Sequence, residues 1–155
     1  MLDLGRLYNE QRFAKGVTMA DVSHSCQRMF DALTFKPACD ERSVVRYSAA
    51  GAVTAATPPR LVAEITSPSF LDYDLISDFF LTYRSFLDPS DLLYMMLARL
   101  RWALERSDEA GLIVRVRTFV AIRHWILNYF VDDFVVDYSL RVVFCNLLNS
   151  IASTF

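Results

Sequence analysis

Apolar residues recur three and four positions apart through most of this chain, the spacing that gathers them on one face of a helix. The pattern first becomes legible behind Thr18-Met19-Ala20-Asp21, which resembles a capping box with Asp in place of Glu. Val22, Cys26, Met29, Phe30 and Leu33 then predict a helix over 19–34, ended by Lys36-Pro37. Upstream, residues 1–17 have weak periodicity, with room for a short helix at 4–11. From Ser43 the period shortens: Val44-Val45-Arg46-Tyr47-Ser48, a turn at Ala49-Ala50-Gly51 and Ala52-Val53-Thr54 suit a short β-hairpin over 44–54.

Helical spacing then resumes. Thr57-Pro58-Pro59 reads as an N-cap with first-turn proline, Leu61, Val62 and Ile65 continue to about 66, and Ser67-Pro68 stops the helix. Asp72 or Asp74 starts the next, expected to reach Phe86. Its last part, Asp78-Phe79-Phe80-Leu81-Thr82-Tyr83-Arg84-Ser85-Phe86, brings four rings into eight residues, and Phe79, Phe80, Tyr83 and Phe86 are assigned to the core. Asp88-Pro89-Ser90-Asp91 opens a helix over 89–106, with Leu92, Leu93, Met96, Leu97, Leu100 and Leu104 as its main face. A second stripe, Tyr94, Met95, Ala98 and Trp102, lies to one side of that face. Two readings stay open for it: cover by another helix of the same domain, or a candidate interaction surface for a partner.

Residues 107–111 read as a connection, and 112–130 as the longest helix. Val116, Phe119, Val120, Ile122, Trp125, Ile126, Tyr129 and Phe130 spread around its circumference, so it is expected at the centre, with Trp125 in the core. Val131-Asp132-Asp133-Phe134 interrupts the pattern, and Asp137 caps a last helix carrying Leu140, Val143, Phe144, Leu147, Leu148 and Ile151. The fold class expected is all-α, a bundle of five to six helices with the short hairpin. Its division is an extension at 1–43 and a domain at 44–155. With no turn signal before Phe155, the sequence reads as cut from a longer protein.

Composition narrows the function. At 54% hydrophobic and 14% aromatic the chain is too apolar for disorder, and some of that surface suits an interface, a homo-oligomer included. The formal charge of −2 lacks the basic face of a nucleic-acid binder. Cys26, Cys39 and Cys145 are odd in number and far apart, against a disulfide framework and in keeping with a cytoplasmic setting. No apolar run reaches the roughly 18 residues of a membrane span.

Candidate chemistry is sparse. Four scattered glycines, Gly5, Gly16, Gly51 and Gly111, form no phosphate-cradling loop. His24-Ser25-Cys26 lacks the further ligands that zinc requires, and His124 has no nucleophile beside it. Asp132-Asp133, two acids ahead of a helix, read as solvated or capping groups. No catalytic residue, cofactor site or metal site is expected.

The wording of several segments goes further. Val44, Arg46 and Tyr47, then Leu61-Val62-Ala63-Glu64-Ile65-Thr66-Ser67-Pro68, then Asp78 to Phe86 with Asp88-Pro89-Ser90-Asp91-Leu92-Leu93, resemble the N-terminal module of Ras-type guanine nucleotide exchange factors, the Ras exchanger motif. Val116-Arg117 and Arg123-His124-Trp125-Ile126-Leu127-Asn128-Tyr129-Phe130 follow the same family's pattern in order and spacing. The likeness covers about 44–152 and is greatest to fungal exchange factors of the mitotic-exit type. It implies a helical, non-catalytic domain that packs against a separate catalytic exchange domain and, in some members, offers a regulatory surface to a Ras-family GTPase.

Overall fold

In the computed structural model, residues 28–35 and 40–153 are described, and two compact units divide near residue 63. The expected short helix at 4–11, most of the helix at 19–34, and His24, Cys26 and Cys39 lie outside the described residues. Six α-helices and one two-stranded antiparallel sheet make up the regular structure among the described residues, so the chain is mostly helical, as the spacing predicts.

The first unit contains helix α1 (residues 28–34), strands β1 (Val45–Tyr47) and β2 (Val53–Ala56), and most of α2 (Pro58–Ile65). The hairpin pairs Val45 with Ala56, Arg46 with Ala55 and Tyr47 with Val53, with an irregularity between the last two pairs. Its turn needs Gly51, whose φ of 84° lies where side chains are disfavoured. Met29, Phe30, Leu33, Val44, Val45 and Val62 are buried here. Arg60 reaches among them, donating to the carbonyl of Leu33 and, at 3.0 Å, to the Tyr47 hydroxyl.

The second unit holds α3 (Tyr73–Thr82), α4 (Pro89–Leu104), α5 (Glu109–Tyr129) and α6 (Tyr138–Ala152). Side-chain oxygens of Asp72, Asp108 and Asp137 accept backbone N–H groups at the starts of α3, α5 and α6. Asp88 also occupies an N-cap position, but Pro89 follows it and its side chain makes no capping hydrogen bond to α4.

Three boundaries differ from the sequence expectation. Helix α3 stops at Thr82 and tightens into a 3₁₀ turn over Tyr83–Ser85 instead of running on to Phe86. Helix α5 begins at Glu109 and not at 112: the Asp108 cap pulls Ala110 and Gly111 into its first turn. Gly111 is tolerated there for want of a Cβ, which would come within 2.5 Å of Arg106 Cβ. The interruption after Tyr129 is a π-helical turn over Phe130–Val135, still helical but wider by about one residue.

The centre is α4, and not α5 as the apolar spread suggests. Nine residues of α4 are buried against six of the longer α5. Helices α4 and α5 make the most extensive helix–helix contact, and α6 packs on α4. Buried Arg99 of α4 donates to Thr66 Oγ1 at 3.1 Å, and Arg117 of α5 donates to the carbonyl of Ser67.

Candidate functional site

The side chains that make the Asp78–Phe86 segment distinctive converge on one carboxylate. Asp133, on the π-helical turn, is 3% exposed. Its Oδ2 accepts the Tyr83 hydroxyl, Trp125 Nε1–H and Arg84 Nη2–H, each at 2.6 Å, and its Oδ1 accepts Arg84 Nε–H at 2.8 Å. The Arg84 fork is therefore bidentate, the geometry in which arginine holds a carboxylate best. Its guanidinium also lies 4.7 Å and 4.8 Å from the ring centres of Tyr83 and Tyr129, and Nη1 reaches back to the carbonyl of Phe80 at 3.3 Å.

The wide turn explains why this acid points inward. A regular helix turns about 100° per residue, so one inserted residue rotates everything after it by that amount. Asp133 is thereby brought onto the buried side that Trp125 occupies eight residues earlier, while neighbouring Asp132 stays exposed. The acid pair is thus not simply a solvated or capping group, contrary to the sequence reading. A buried carboxylate is costly unless paired and hydrogen-bonded, and four donated hydrogen bonds offset that cost here. Burial, then the hydrogen bond to Asp133, push the Tyr83 phenol above its ordinary value of 10.0. For Arg84, partial burial opposes the charge, but the bonds to Asp133 outweigh it and raise its pKa.

Around this polar centre the rings interlock. Phe80 meets Phe79 edge-on at 5.2 Å between centres, lies 5.3 Å from His124 and stacks on Tyr129 at 6.3 Å. Trp125 contacts Tyr83 at 6.0 Å and Phe134 at 5.0 Å. Phe79, Phe80, Tyr83 and Trp125 are all buried. Phe86 differs, at 47% exposed, because the 3₁₀ turn ends the helical register three residues too early for its ring to follow Phe79 and Tyr83 inward.

The stripe on α4 does not form one open surface. Tyr94 is 52% exposed and Ala98 partly so, but Met95 and Trp102 are buried at 5% and 2%. Two arginines flank Trp102, with the Arg99 and Arg106 guanidiniums 4.4 Å and 4.9 Å from its ring, so the indole is covered from within the domain. Of the four positions only Tyr94 offers a ring to solvent.

Nothing in the local sequence marks Asp133 except the broken period at 130–135. Among the described residues no group of three or more His, Cys, Asp or Glu side chains is placed to hold a metal ion, and no helix is long and apolar enough to cross a membrane.

Comparison with known proteins adds the family context. The RasGEF N-terminal motif profile matches residues 52–149, which contain the hub formed by Asp133 with Tyr83, Arg84 and Trp125. The guanine nucleotide exchange factor LTE1 of Kluyveromyces lactis is 40% identical over 102 residues, covering 60% of this chain and 8% of the relative. The protein of the same name from Saccharomyces cerevisiae is 38% identical over 107 residues, covering 63% and 8%. That from Candida glabrata is 36% identical over 104 residues, covering 59% and 8%. The matched region is thus a small part of much larger relatives.

Proposed function

The chain belongs to the RasGEF N-terminal motif family, and on that footing we propose that it is the non-catalytic support of a guanine nucleotide exchange factor acting on a Ras-family GTPase in the cytoplasm. Its role is to hold a rigid helical platform for a catalytic exchange domain carried elsewhere in the same protein. The observation that carries this reading is the Asp133 hub. Tyr83, Arg84 and Trp125 spend their polar groups on one buried carboxylate, which supports an architectural role for the family's most distinctive text.

Support of this kind has a testable signature. In the full-length protein, Asp133→Ala lowers the rate of nucleotide release from the cognate GTPase, and it does so by softening the platform. A stabilising substitution elsewhere in these residues restores the rate. Full exchange activity with the hub destroyed and the helices melted would contradict the proposal.

A further inference from the structure

Helix α5 has two opposed apolar faces. Gly111, Val114, Thr118, Ala121, Ile122 and Trp125 are buried on one side. On the other, Leu112, Val116, Phe119, Val120 and Leu127 are each half exposed or more. At about 100° per residue, all five fall within roughly 60° of the direction set by Val116. Two exposed charges share this outer face, Glu109 seven residues before Val116 and Arg123 seven residues after it. Seven residues are nearly two full turns, so both side chains project in almost the same direction as Val116. They lie about 21 Å apart along the helix, too far to meet each other, and neither takes part in the ion pairs Arg84–Asp133, Arg101–Glu105 and Arg106–Asp108.

We propose that this face pairs with the same face of a second copy of the chain, antiparallel, about a two-fold axis through Val116. An isologous contact requires a self-complementary surface, and the charges supply it. Rotation about Val116 sets Glu109 of each copy opposite Arg123 of the other, twice, with Val116 on Val116, Leu112 against Val120 and Phe119 against Ile113. A parallel arrangement would juxtapose Glu109 with Glu109 and Arg123 with Arg123, so the charge order itself selects the antiparallel one. The overlap spans 109–123, about 22 Å of helix. One helix face of that length sits at the small end of specific interfaces, and the dimer is accordingly reversible.

The experiment is sedimentation velocity on the 155-residue chain over a range of concentrations. The wild-type chain moves from monomer towards dimer as concentration rises. Arg123→Glu and Glu109→Arg each weaken the dimer by at least about tenfold, since each sets like charges face to face. The double variant, with both charges exchanged, restores the dimer to within about threefold of wild type, a result that a mere loss of folding could not give. Val116→Cys, on the axis, forms a covalent dimer under mild oxidation faster than the unsubstituted chain, whose exposed Cys145 serves as the control. A chain that stays monomeric at every concentration overturns the proposal. So does a dimer indifferent to the single charge reversals, or one that the double exchange fails to restore.

Discussion

At the scale of single residues, the account turns on Asp133. Removing a buried carboxylate that satisfies three partners strands the Tyr83 hydroxyl, the indole N–H and a guanidinium together. Asp133→Ala should therefore cost about 3–5 kcal/mol, a large share of the roughly 5–15 kcal/mol that holds a typical domain. Asp133→Asn keeps the shape but supplies only one acceptor oxygen, and should cost about 1–3 kcal/mol. Urea denaturation distinguishes the two, and near-equal effects would count against the hub. Phe80→Ala, which empties a site ringed by Phe79, His124 and Tyr129, should cost about 3–5 kcal/mol. Tyr83 adds a pH dependence. Its raised phenol pKa means that its contribution is complete below the ordinary value of 10.0 and fades as pH climbs beyond that. Wild type and Tyr83→Phe should consequently differ in stability at pH 8 and converge above pH 10; a gap that widens there would reverse the sign. The rings of this cluster were legible in the sequence from their helical spacing. Asp133 was not, because the rotation introduced at the π-helical turn decides which of two adjacent acids faces inward.

At the scale of elements, two of the caps read from the sequence hold, while Asp88 makes no capping hydrogen bond to α4. Asp72 and Asp137 start helices where acids before an apolar period say they should. Residues 107–111 look like a plain connection, yet Asp108 and Gly111 belong to the start of α5. Arg106 donates two hydrogen bonds to Asp108, the Gly111 N–H adds a third, and together they lower the Asp108 pKa to about 2. A depressed carboxylate contributes above its ordinary range and loses that contribution as pH falls towards the folded value. Asp108→Ala should therefore destabilise the chain at neutral pH and differ little from wild type near pH 2, as thermal melts across that range would reveal. Gly111→Ala tests the same joint sterically: with Arg106 Cβ 2.5 Å from the new methyl, the cost should be about 1–3 kcal/mol, whereas an ordinary helix start would gain from alanine. The end of α3 was misjudged for a related reason. Helical spacing cannot show that a chain will tighten at Tyr83 and leave Phe86 half outside.

At the scale of the whole molecule, the class of fold was open to view and its centre was not. Periodicity alone predicts a helical chain with one hairpin. It cannot say which of two apolar helices is surrounded, since α5 spreads its apolar residues around its circumference yet leaves Leu112, Val116, Phe119, Val120 and Leu127 facing solvent. Nor can it choose between the two readings of the stripe on α4, where Tyr94 is exposed but Trp102 is enclosed between Arg99 and Arg106. Both outcomes bear on the proposed function, for the apolar face open to solvent is the outside of α5, while Phe79, Phe80, Tyr83 and Trp125 lie in the interior. Both suit the proposed function, in which the domain supports exchange without performing it. The direct test is the release of a fluorescent nucleotide from Ras-family GTPases in the presence of excess 155-residue chain. The rates should equal the intrinsic ones at every concentration, and a dose-dependent acceleration by the chain alone would contradict the account.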